Sequence, residues 1–206
     1  DSVTFGKVSS CRNSGAVYGD VNTGGITGSM TIEYTLDPED DVTGHLSNIY
    51  RKQYEYRSII QKCVNTGDVA GKRSYVGGIV GYTENGSVQI PNCYNTGSVT
   101  GATCVGGIAG KHTGGTDPTV TNCYNTGSVK GASCGALVGE YAAEIRNSYY
   151  LEGSASAATG NTKDGVNVEA TAKTAAEMKE TAFVLALGNE AFHQDDGRNG
   201  GYPLLA

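Results

Sequence analysis

Any chemistry in this chain would fall to a short set of residues: six cysteines, three histidines, a repeated Asn-Thr-Gly triplet, and one segment that mixes acids with aromatics. The cysteines do not have metal spacing, because no CxxC or HxxxH pair supplies two ligands locally. Cys11, Cys63, Cys93 and Cys123 recur at one place in a repeat, and Cys104 and Cys134 are read as a second set. Side chains stacked in this way point in one direction, which is poor geometry for bridging, so all six are expected to be free thiols packed as small hydrophobes. His45, His112 and His193 are read as lying on three unrelated loops. No GxSxG elbow, HExxH or Walker loop is present, and the "VGGIVG" runs lack the Lys-Ser/Thr and the following helix that phosphate binding needs. The reading is therefore no catalytic residue, no metal and no cofactor.

Two features remain for binding. Asn65-Thr66-Gly67, Asn95-Thr96-Gly97 and Asn125-Thr126-Gly127 are each either a polar strip for glycan hydroxyls or a stacked Asn ladder that satisfies corner amides. The ladder is preferred, since Asn and Gly are the residues such turns require. The segment 29–59 holds Asp37, Glu39, Asp40 and Asp41, then "YRKQYEYR". Its acids lack the alternating spacing of an EF-hand loop. Its rings and guanidinium groups are what interfaces favour, so Tyr34, Tyr50, Tyr54, Tyr56 and Arg57 are the candidate ligand-binding residues. The competing reading has these tyrosines packed flat on the body of the protein with their charges solvated.

The elements that position these residues follow from self-similarity. Each of the four Cys just grouped is followed by Asn at +2, Gly at +4 and Val at +6, and each copy continues into a Gly-rich apolar run such as Gly77-Gly78-Ile79-Val80-Gly81. A fifth, decayed copy has Ser148 in place of Cys. With 31 Gly in 206 residues, a helix through these copies is rejected, because each Gly costs roughly 1 kcal/mol there. Short strands with tight corners fit, and stacking them gives a β-solenoid. Length variation falls between each Gly-rich run and the next Cys strand, at 29–59, 82–87, 111–119 and 140–144. These connections should leave from one corner and form one ragged face.

After a small, polar stretch from 151 to 173, Thr174 and Glu177 form a capping box, Met178, Ala182 and Leu185 recur at helical spacing, and Gly188 offers a C-terminal cap. The expectation is an all-β, parallel β-solenoid of four to five repeats over 1–155 with the insertion 29–59. A linker, a helix over 174–187 and a helix-plus-strand cap would then occupy 156–206. The formal net charge of −6, with no block of like charges, argues against nucleic acid and anionic lipid. No apolar run is long enough to enter a membrane, and the N-terminal "DSVTFGKVSS" has neither an n-region nor an h-region, which is no argument for the cytoplasm.

The "CYNTGSVTG...VGGIAG" pattern resembles the GLUG repeat of secreted and surface-anchored bacterial proteins, among them adhesins and the non-catalytic parts of IgA-protease-type peptidases. The tail resembles the segment that often follows such repeats, ending here in Asn199-Gly200-Gly201-Tyr202-Pro203. It departs from that pattern at Phe192 and His193, where the family usually has Trp. The resemblance implies surface display and adhesion. The chain is thus expected to be a monomeric module of a larger secreted or cell-surface bacterial protein, binding a host or neighbouring-cell protein or glycan. The alternatives are a rigid spacer and a glycan-active β-helix.

Overall fold

The computed structural model describes residues 5–31, 57–84, 87–113, 119–141, 144–188 and 190–206. Parallel strands stack into four walls, each of the first four copies adding one strand per wall and the fifth adding strands to the first and fourth walls. The first wall stacks Phe5–Ser9, Arg57–Gln61, Ser87–Pro91, Thr119–Thr121 and Glu144–Leu151. Past a sharp corner it continues as Arg12–Asn13, Val64–Asn65, Tyr94–Asn95 and Tyr124–Asn125, which rejoin Glu144–Leu151. The second wall runs from Val17–Gly19 to Val129–Lys130 and the third from Thr23–Gly24 to Cys134–Gly135. The fourth runs from Thr27–Thr31 to Thr159–Thr162. An all-β parallel solenoid is what the repeat predicted.

The corner before each Cys is where the chain bends hardest. Ser10, Lys62, Asn92, Asn122 and Asn147 all adopt left-handed backbone there, with φ between 43° and 56°. Asn suits this conformation because its short polar side chain bonds locally. The Asn-x-Gly triplet, expected to be the turn, instead begins with an inward-facing strand residue. The thiol after the corner donates to the carbonyl two residues back: Cys63 to Gln61 at 3.2 Å and Cys123 to Thr121 at 3.4 Å. In the decayed copy the Ser148 hydroxyl does the same to Arg146 at 2.9 Å.

Two apolar cores fill the tube. The larger contains Ile60, Cys63, Ile79, Ile90, Cys93, Ile108, Cys123, Leu137 and Ile145, and the smaller is a valine column of Val69, Val76, Val99, Val105 and Val129. Between them runs the Asn column, half-buried at Asn13 and fully buried at Asn65, Asn95 and Asn125. Asn13 Nδ2 donates to Asn65 Oδ1 at 2.8 Å, Asn65 to Asn95 at 2.7 Å, and Asn95 to Asn125 at 2.8 Å. The second amide hydrogen goes to the carbonyl of Gly15, Gly67 or Gly97 in the same rung. Asn13, Asn65 and Asn95 thus use both amide hydrogens, which is the condition for burying such a column, and Asn125 ends it with a bond to the Gly127 carbonyl.

Three expectations change. The segment after 155 is part of the solenoid: Thr159–Thr162 pairs with Val138–Tyr141, and Val168–Lys173 pairs with Glu144–Leu151. Strand edges need backbone partners rather than large side chains, so small polar residues suffice, and Val166, Val168 and Ala170 cover the larger core at this end. The capping box exists, with Glu177 accepting from Thr174 N and Oγ1 at 2.8 Å, but it opens only a 3₁₀ turn, Glu177–Lys179. Glu180 is extended, and the α-helix is Thr181–Leu187, closed by Gly188. The break resets the helical phase, so Phe183, Val184 and Leu187 are buried while Leu185 is exposed.

The third change concerns where this appendage sits. The helix and the antiparallel pair Phe192–His193 and Leu204–Leu205 lie against the outer side of the Cys-Tyr-Asn wall, packing on Val64, Tyr94, Tyr124 and Tyr149. It is a buttress along the flank. The Tyr94 and Tyr124 rings stack at 4.7 Å, 5° from parallel, and Phe183 meets Tyr124 and Tyr149 edge-on.

Candidate functional site

Of the sequence-predicted ligand residues, Tyr34, Tyr50, Tyr54 and Tyr56 lie outside the described residues. Arg57 opens the first-wall strand of its rung, and its backbone pairs with Phe5 and Ser87. The insertion narrows to 32–56, because 27–31 and 57–61 are strand. Strand register places the ends of every connection together. Thr31 aligns with Glu84, Thr83 with His112, and His112 with Tyr141. On the receiving side Arg57 aligns with Ser87, Gln89 with Thr119, and Thr119 with Glu144. The strand ends that flank 32–56, 85–86, 114–118 and 142–143 therefore all lie on one edge of the stack.

The cysteine reading holds for Cys63, Cys93 and Cys123, while Cys11 at the first rung is exposed, and the second set does not align. All six are free thiols, and Cys63, Cys93 and Cys123 are buried in register. Cys134 aligns with Val105, not with Cys104. The repeat advances thirty residues on the Cys wall, where Tyr94 pairs with Tyr124, but 29 on the third wall, where Val76 pairs with Val105. Cys104 consequently falls on a left-handed corner with φ 53°, where its thiol donates to Glu140 at 3.2 Å. Burial and that carboxylate raise its pKa, the opposite of an activated nucleophile.

His112 is not a loop residue. It ends the strand Ala109–His112 facing inward, fully buried, with Nδ1 2.7 Å from the Thr83 hydroxyl. Burial lowers its pKa to about 4, so the ring is neutral at physiological pH. His193 lies in the C-terminal strand pair, and His45 is outside the described residues. Among the described residues, no three of His, Cys, Asp and Glu gather as metal ligands.

A groove that sequence reasoning considered only as a strip lies on the flank. The Thr of each Asn-Thr-Gly triplet faces outward, and Thr66, Thr96 and Thr126 line one side of a space of about 400 Å³. Arg198, Asn199 and Tyr202 of the C-terminal loop line the other, and Arg12 stands at the first rung. The loop is held firmly. Asp195 accepts from the backbone amides of Arg198 and Asn199 at 2.9 Å and of Gly201 at 2.6 Å, and Asn199 Nδ2 donates to the Tyr124 hydroxyl at 3.0 Å. Arg198 pairs with Asp196 at 2.6 Å. Nothing in the sequence brought Arg12 and Arg198 together, because the loop's docking site depends on the helix break at Glu180.

Residues 101–130, the third rung's second half and the fourth rung's first, match the family described as the GLUG motif. This segment is a GLUG motif. Within it Tyr124-Asn125 aligns with Tyr94-Asn95, which aligns in turn with Val64-Asn65, so the other rungs stack on it in register. The fold also matches a crystal structure described as "a putative immunoglobulin A1 protease from Bacteroides ovatus", with TM-score 0.57 and 19% identity over 98% of this chain and 74% of that one. At that identity the likeness is one of fold. A search of curated proteins finds no match. No helix among the described residues is long and apolar enough to cross a membrane.

Proposed function

We propose that this GLUG-repeat solenoid is a non-catalytic module, displayed on or secreted from a bacterial cell, that binds a host or neighbouring-cell protein or glycan. The observation that carries the reading is the register of the strand ends, which gathers every connection on one edge while the walls stay regular. Repeat scaffolds bind through such edges because loop changes there leave rung stacking untouched. On this reading Tyr34, Tyr50, Tyr54, Tyr56 and Arg57 supply the contact, rings giving area and the guanidinium giving direction.

The likeness to a protein described as an IgA1 protease fits a module carried beside other domains. A spacer is the second reading, favoured by the Asn column and the flank buttress, which together tie four rungs into one stiff body. An array of host proteins and glycans probed with the chain separates them. Specific, saturable binding supports the module, whereas an array with no ligand leaves the spacer. Turnover of an arrayed glycan would overturn both in favour of a β-helix enzyme.

A further inference from the structure

We infer that the flank groove between the Thr row and the C-terminal loop is a binding site for a glycan whose terminal sugar carries a carboxylate. The inference rests on the reading of the chain as a binding module, but it uses a different surface from the connection edge. Three observations converge on it. Arg12 is exposed and has no carboxylate within ion-pair distance among the described residues, whereas Arg198 across the groove is already neutralised by Asp196. One guanidinium is therefore free to take a planar anion through paired hydrogen bonds.

The second observation is an orphan. The Tyr94 hydroxyl is buried and has no hydrogen-bond partner among the described residues, although its neighbour in the stack, the Tyr124 hydroxyl, is satisfied by Asn199 and the Pro203 carbonyl. Tyr94 shares its outward column with Val64 and Arg12, and the charges of Arg12, Arg198 and Asp195 all reach its phenol. A buried hydroxyl left unsatisfied is costly, and this one stands in Arg12's column next to the groove wall, where a ligand oxygen reaching in from Arg12 would satisfy it.

Third, the row leading away from Arg12 has the chemistry of a sugar partner. The Thr66 hydroxyl donates to the Asn13 carbonyl, but those of Thr96 and Thr126 make no hydrogen bond with a described residue. A hydroxyl both donates and accepts, as sugar hydroxyls do, and the rungs repeat at about 4.8 Å. The anion is single. Asp195 and Asp196 stand on the loop rim, and the whole chain is at −6, so a polyanion would be repelled where one terminal carboxylate meets Arg12.

The test is titration of the intact chain with 3′-sialyllactose and with a glucuronate-capped trisaccharide, using lactose and inorganic phosphate as controls. At least one acidic sugar should bind and neither control should. Arg12→Gln should weaken binding roughly tenfold or more, as loss of a charged hydrogen bond does. Tyr94→Phe, which removes the orphan and keeps the ring stack, should weaken binding while the melting temperature holds or rises. A purely structural Tyr94 would leave affinity unchanged. The inference is overturned if neither acid binds, if lactose or phosphate binds equally well, or if Arg12→Gln binds as the parent does. Replacing 32–56 by a short connection should leave this binding intact, so failure here is distinguishable from failure of the connection edge.

Discussion

Asn95 and Gly107 show how the repeat's two most frequent polar and small residues depend on each other. The second Gly of each Gly-Gly pair faces the Asn of the rung above. A Cβ on Gly78 would meet Asn95 Cγ at 2.4 Å, and one on Gly107 would meet Asn125 Cγ at 2.3 Å. The next residue in that column is Ala136, and the rung above it has Tyr150 where Asn would stand. Glycine is lost where the Asn is lost. Asn95→Ala should therefore cost about 3 kcal/mol, because it strands one buried Asn65 amide hydrogen and the Gly97 carbonyl and leaves Asn125 Oδ1 with the Gly127 amide alone. Gly107→Ala should cost at least as much and Ala136→Gly under about 1 kcal/mol, all by denaturant melts.

The buried His112 makes a pH prediction with a definite sign. Its folded pKa of about 4 lies below the unfolded value near 6.5, so the unfolded chain binds the extra proton between those limits. The stability it contributes is complete above pH 6.5 and is lost as pH falls toward 4, with a slope of up to about 1.4 kcal/mol per pH unit. His112→Gln should flatten the dependence of melting temperature on pH in that window relative to the parent. An unchanged profile would show that His112 does not titrate in the unfolding transition.

At the scale of elements, the first-half period was legible and the second-half period was not. From Cys63 on, the Cys-x-Asn-x-Gly signature repeats every thirty residues and marks the inward Cys and Asn columns from sequence alone. The third wall runs at 29, and a single dropped residue is enough to move Cys104 from an imagined ladder with Cys134 to a corner. The helix was legible as a helix, while its buried face was not, because Glu180 breaks the phase without a Gly or Pro to announce it. With the Cys63, Cys93 and Cys123 column parallel and unbridged and Cys104 out of line with Cys134, thiol titration under denaturant without reductant should return six free thiols. Cys93 and Cys123 should react slowly in the native state because they are buried.

The appendage makes its own prediction. Ending the chain after Lys173 removes the helix and strand pair that cover the stacked tyrosines but leaves Val166, Val168 and Ala170 over the end of the larger core. The shortened chain should keep its β-sheet circular dichroism, bind a hydrophobic dye at the uncovered flank and melt at a lower temperature. Equal stability without dye binding would make the segment an independent appendage.

Seen whole, the molecule separates a repeated, hydrogen-bonded stack from the variable segments attached to it. Chain length between rungs told the sequence reader where those segments must leave. The flank groove was not legible in this way, since it joins Arg12 to Arg198 across nearly the full length of the chain. The most direct test of this division is to replace 32–56 with a two-residue connection like 85–86 and measure both melting and binding to whatever ligand the array supplies. Nearest-neighbour stacking and the small entropy cost of loop length predict an unchanged fold, with a melting temperature at or above the parent's. Binding should be lost, and Tyr54→Ala with Tyr56→Ala in the full-length chain should reproduce much of that loss. A connection-shortened protein that folds and binds its array ligand at full strength would contradict the account.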